Sequence, residues 1–228
     1  MDDENPFNIC TWDVNADCDS CYVKEKLNCK FDRKFLAGFI TYVIPFFFCS
    51  IFGMIYTAIV TGIWWLLIGY GIFLVLFFTV IEMRILCRHC PYYAKEGKTI
   101  HCHANEGLPR LWKYDPTPLS RVEKLAFLAC LGFLGFFPIF TEIYGIWYIS
   151  MNYAIYGFYA LLGLIGIAVA SLITVLAWLS NLQIFYCPSC INFSCPLNRV
   201  PEDDVNAYLE KNPIMKDAWE KYGYRLKK

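Results

Sequence analysis

The chain has 228 residues, 57% of them hydrophobic and 18% aromatic, and its 20 Lys and Arg balance 20 Asp and Glu. That composition is too apolar for an ordinary water-soluble domain and lacks the basic surplus of a nucleic-acid binder, so it reads as a small polytopic membrane protein. The zero net charge conceals a segregation: 5 Lys and Arg precede Phe35, 8 lie from Arg84 to Lys124, and 7 follow Tyr186.

Residues 1–34 form a Cys-rich arm with Cys10, Cys18, Cys21 and Cys29 spaced C-x7-C-x2-C-x7-C, and with turn-forming Asp and Asn between them. The arm is too short to bury a core of its own, so a metal held by four thiolates would supply the folding free energy that burial cannot. The alternatives are a flexible arm or one that shares ligands with other segments. Its start, Met1-Asp2-Asp3-Glu4, lacks the basic region of a signal peptide.

Two apolar blocks follow, 35–83 and 125–186. Each is about twice the ~20 residues that cross a bilayer, which predicts two transmembrane hairpins and four spans. The first hairpin carries Pro45, a mid-span Cys49 expected to act as a small hydrophobe, and Trp64 and Trp65 at its outer end. Glu82, next to Arg84, reads as a paired interface charge.

The loop 84–124 contains Cys87-Arg88-His89-Cys90-Pro91 and then His101, Cys102 and His103, so it holds all three histidines of the chain. Eight basic residues against Glu96, Glu106, Asp115 and Glu123 would attract anionic headgroups. Ser120 followed by Glu123 marks a capped helix start. In the second hairpin, Pro138 precedes Glu142. The neighbouring Tyr144, Trp147 and Tyr148 place that carboxylate at the outer lipid interface. Gly163, Gly166 and Ala170 offer close-packing positions against another helix.

The tail 187–228 opens with Cys187-x2-Cys190-x4-Cys195-Pro196. Pro201 predicts a helix start, Asn212-Pro213 a break, and Gly223 the end of a second helix. Val205, Leu209, Met215, Ala218 and Trp219 give these helices an apolar face that docking would bury.

The basic segments predict that both termini and the central loop are cytoplasmic in a cell-membrane protein. Ten cysteines then lie on a reducing side, where metal ligation is favoured over a disulfide framework. The fold class expected is all-α integral membrane, a four-span helical bundle with cytoplasmic metal-binding segments.

The two halves read as a degenerate duplication of hairpin, Cys-x-x-Cys and a third cysteine. Cys87, Cys90, Cys187 and Cys190 could share one zinc, or Cys87, Cys90 and Cys102 could close a site with His101 or His103 while Cys195 joins the tail pair. The function expected is a zinc-stapled platform acting as scaffold or adaptor, with the lipid bilayer and a cytoplasmic protein or a second copy as partners and no nucleic acid. An iron-sulfur electron-transfer subunit is the alternative, and cytoplasm-facing thiol redox catalysis the third reading. No phosphate-binding glycine loop, nucleophile elbow or zinc-protease motif is present.

Overall fold

The structure, a computed structural model, describes residues 5–226, so the acidic start lies outside the described residues. Four helical stretches are long and apolar enough to cross a membrane: Arg33–Thr61, Trp65–His89, Arg121–Met151 and Tyr153–Ser189. Among the described residues there is no β-strand, only an isolated bridge between Thr99 and Pro109.

The first helix, α1 (Arg33–Thr61), stays helical through Pro45 and ends where Gly62 takes φ +75°. A side chain would be strained at that φ, so the glycine allows the chain to leave the helix at once. The second stretch begins as α2 (Trp65–Leu76), widens into π-helical turns over Phe77–Leu86 and tightens into a 3-10 turn at Cys87–His89. A further 3-10 turn covers Pro91–Ala94.

The third helix, α3 (Arg121–Met151), opens on the expected capping box. The Ser120 backbone N–H donates to Glu123 Oε2 at 2.9 Å, and the Glu123 N–H donates back to Ser120 Oγ at 3.3 Å. The fourth stretch runs as α4 (Tyr153–Asn181), with a non-helical Gly157 at φ +73°, then π-helical over Leu182–Tyr186 and 3-10 over Cys187–Ser189. The tail forms α5 (Glu202–Glu210) and α6 (Pro213–Lys221), and Gly223 follows at φ +87°.

The chain divides into two compact units. The apolar unit comprises Gly38–Phe78 and Leu128–Asn181. Phe46 stacks on Trp178 at 5.1 Å, Phe133 on Phe137 at 4.6 Å, and the Tyr70 hydroxyl donates to the Leu134 carbonyl at 2.8 Å. Ile44, Phe48, Ile59, Trp65, Phe140 and Ile173 stand exposed. In water such a surface would be a liability, whereas in lipid it is the expected exterior.

Gly163 and Gly166, expected to be close-packing positions, meet no other part of the chain. The face of α4 that packs is set by Leu164, Ser171, Val175 and Trp178. The close approaches fall at Gly53, Gly135 and Gly145 instead.

The polar unit comprises Met1–Ala37, Thr79–Phe127 and Leu182–Lys228. It holds every Lys, Arg, Asp and Glu of the chain except Glu142, all three histidines, and ten of the 12 cysteines. Its core is built from Ile9, Tyr93, Ile191, Tyr208, Leu209, Met215 and Trp219. The apolar face of the tail helices is therefore buried here, as a docked tail requires. Burying a side chain such as Leu209 stabilises by roughly 1.5–3 kcal/mol. The N-terminal arm, which has turns and no helix over residues 5–32, is held by Ile9, Val23 and Leu27 in that core and by an ion pair from Lys26 to Asp204 at 2.9 Å.

Candidate metal centre

Each Cys-x-x-Cys follows directly on a π-helical segment, and the two knuckles repeat the same backbone. Leu86 stands at φ −102°, ψ −55° and Tyr186 at φ −96°, ψ −48°. Cys90 stands at φ −86°, ψ 135° and Cys190 at φ −80°, ψ 125°. The widened turns release the chain from the helical path just before the first thiol, and the extended fourth residue carries it out of the 3-10 turn. Pro91 and Pro188 fit this geometry, since neither position can continue a regular helix.

The knuckles are neighbours within the polar unit. Asn192, just past the second knuckle, donates from Nδ2 to the carbonyl of Leu86, just before the first, at 3.3 Å. The arm docks beside them: the Asn28 N–H donates to the Ser189 carbonyl at 2.9 Å, and its side chain to Ser189 Oγ at 2.7 Å.

The thiols receive donors in a repeated pattern. Backbone N–H groups approach Cys90 from Tyr92, Cys190 from Asn192, Cys102 from Ala104 and Asn105, and Cys195 from Leu197 and Asn198. The Asn105 bond to Cys102 Sγ measures 3.0 Å. Side-chain amides supply further donors, Asn105 Nδ2 to Cys87 Sγ at 3.4 Å and Asn212 Nδ2 to Cys10 Sγ at 3.3 Å. N–H donors favour a thiolate over a thiol.

Burial acts the other way and is the larger effect. It raises Cys90 well above the ordinary thiol value, Cys102 and Cys190 to about 11, and Cys195 to about 12. Cys29 is pushed to about 12 by burial and by the neighbouring Cys10, Cys21 and Cys18, and burial also raises Cys10. Mutual repulsion between charged sulfurs links Cys90 to Cys190, Cys102 and Cys195. Two thiol neighbourhoods thus exist, one in the arm and one at the knuckles. Lys30 near Cys10 and Cys29 and Arg199 near Cys187 offset the effect of burial only in part, and buried thiols primed with N–H donors are what a metal cation would convert to thiolates.

No group of three His, Cys, Asp or Glu side chains among the described residues is arranged to hold a metal ion, so the zinc expectation has no preassembled site. All 12 cysteines are free thiols. The histidines have other partners. His103 accepts the Asp32 backbone N–H at Nε2, 2.7 Å, and meets the Tyr92 hydroxyl at Nδ1, 3.3 Å, while burial lowers its affinity for a proton. His101 is exposed and pairs with Glu106 at 2.8 Å. His89 is buried with Nδ1 against the Thr117 carbonyl at 2.7 Å.

Three residues of the site carry no sequence signal beyond their type. Asn105 bridges Cys102 and Cys87, and Glu82 hydrogen-bonds the same Asn105 and repels charge on Cys87 and Cys102. Glu82 thus faces the thiols, with Oε2 buried and unpartnered. Asn212, read from sequence as a helix breaker, is fully buried and also accepts the Cys10 N–H at 2.7 Å. Comparison of the chain with known protein families, curated proteins and solved structures finds no match.

Proposed function

We propose that the polar unit is a metal-stapled platform on a membrane anchor, filled by zinc, and that it acts as a scaffold or adaptor for a cytoplasmic protein partner or a second copy of the chain. In this reading the four spans pair as two hairpins, both termini are cytoplasmic, and the cell membrane is the location. The observation that carries it is the repeated donor pattern: in both halves the second knuckle cysteine and the third cysteine take backbone N–H groups from the residues after them. Such donors offset part of the negative charge of a thiolate bound to metal, and two knuckles side by side suit a tetrahedral ion with no redox chemistry.

Zinc uptake deprotonates the thiols and draws them together. One site forms at the knuckles from four of Cys87, Cys90, Cys102, Cys187, Cys190 and Cys195, and another in the arm from Cys10, Cys18, Cys21 and Cys29. The same donors also suit an iron-sulfur cluster, which would make the platform an electron carrier. Anaerobic purification with metal and acid-labile sulfide analysis separates the readings. Colourless protein with stoichiometric zinc is expected. Brown protein with iron and sulfide moves electron transfer to first place, and protein that folds equally well without metal removes both.

A further inference from the structure

The apolar unit contains a single Asp, Glu, Lys, Arg or His, and that residue is Glu142 of α3. Its side chain is fully buried among the helices of this unit. Ser171 of α4 donates to its Oε1 at 2.8 Å, and Oε2 is buried without a partner. Gly53 of α1 makes the space, because a methyl group there would overlap the carboxylate.

Several serine and threonine hydroxyls of this region have partners within their own helices. Thr61, Thr141, Ser150 and Thr174 bond back to carbonyls of their own helices. Ser50 and Thr57 do not: both hydroxyl oxygens are buried and unpartnered. These two residues flank Gly53 by about one turn on either side, and the Thr57 hydroxyl lies 2.6 Å from where a Cβ on Gly145 would stand. A polar stripe therefore runs along the face of α1 that meets Glu142.

A carboxylate buried in a lipid-facing bundle, with one hydrogen bond and no cation among the charged residues of its unit, has an uncompensated charge. We propose that Glu142 is an intramembrane proton-binding site that holds its proton as a neutral carboxylic acid, with Ser171 orienting one oxygen and Ser50 and Thr57 available to the other. Binding forms one O–H bond to a carboxylate oxygen, breaks one O–H bond of a hydronium ion that leaves as water, and leaves the unit neutral. Release restores a bare charge, so it must accompany opening of the bundle to water or arrival of a cation. This assignment is independent of the metal reading.

Infrared spectroscopy of the full-length protein reconstituted in lipid tests it. At neutral pH the wild type is expected to show the carbonyl band of a buried carboxylic acid. The band should vanish in Glu142→Gln, persist at a shifted frequency in Glu142→Asp, and shift in Ser171→Ala, which keeps the carboxyl group if Gln fails to fold. A wild-type spectrum without the band, or a band retained in folded Glu142→Gln, overturns the proposal. A carboxylate spectrum that requires sodium overturns it too, by naming a different ion.

Discussion

Replacing Gly53 with alanine should destabilise the apolar unit, although alanine is the better helix former. The new methyl would overlap the Glu142 carboxylate, and the structure offers that carboxylate no vacancy, since it is fully buried and fixed by Ser171. Overpacking of this kind costs about 1–3 kcal/mol. Loss of the Ser171 bond adds about 0.6 kcal/mol, the average for such bonds in membrane helices. Against this, Gly to Ala in a helix interior gains about 1 kcal/mol. The net is a loss of roughly 0.6–2.6 kcal/mol. Gly145→Ala should behave alike, because its methyl would meet Thr57 Oγ1 at 2.6 Å and Leu164 Cδ2 at 2.8 Å. Gly163→Ala and Gly166→Ala have open space and should be neutral or stabilising by up to about 1 kcal/mol. Equilibrium unfolding in mixed micelles reads all four variants. If Gly53→Ala and Gly163→Ala shift stability with the same sign and size, the packing described around Glu142 is wrong.

Four further outcomes follow from the polar unit. Cys49→Ala and Cys130→Ala should leave the metal content unchanged, whereas Cys90→Ala and Cys190→Ala should each lower it, as read by elemental analysis of purified protein. Asn105→Leu removes the side-chain donor to Cys87 while sparing the backbone bond to Cys102. Chelator competition should show metal held about 10–100-fold less tightly, the usual effect of losing an outer-shell partner. Trp219→Ala should cost about 3–5 kcal/mol of stability, since its ring is 6% exposed in the core of the polar unit, and tail proteolysis should rise.

Asp115 is pushed up by burial, but hydrogen bonds from Thr117 and the charges of His89 and Arg88 outweigh that and hold it below the ordinary carboxylate value. Its contribution is therefore present above the unfolded value of about 3.9 and lost as pH falls through the lower folded value. Asp115→Asn should flatten that part of the acid-unfolding profile, and an unchanged profile would deny the Arg88–Asp115 pairing its role.

The parts of this fold governed by local rules were legible in the sequence. The four apolar stretches, the Ser120–Glu123 capping box, the break at Asn212-Pro213 and the apolar face of the tail helices all rest on spacing within a few residues. The unreadable parts rest on partners far away in the chain. The aromatic neighbours Tyr144, Trp147 and Tyr148 say nothing of the burial of Glu142, which is set by Gly53 and Ser171 on two other helices. Glycines at 163 and 166 resemble a packing stripe, but which face of α4 turns inward is decided by Leu164, Ser171 and Val175. His103 sits beside Cys102 in sequence, and only the fold brings Asp32 and Tyr92 to its two ring nitrogens. The amides of Asn105 and Asn212 gave no signal at all, because an asparagine near a proline or a glycine reads as a turn residue.

X-ray absorption at the metal edge, on protein purified without oxygen and without added metal, bears most directly on the platform reading. With both nitrogens of His103 engaged and His101 exposed on Glu106, the account predicts zinc with a sulfur-only shell of four atoms at about 2.3 Å. Imidazole scattering, an iron edge, or a zinc content unchanged in the Cys90→Ala, Cys190→Ala double variant would contradict it.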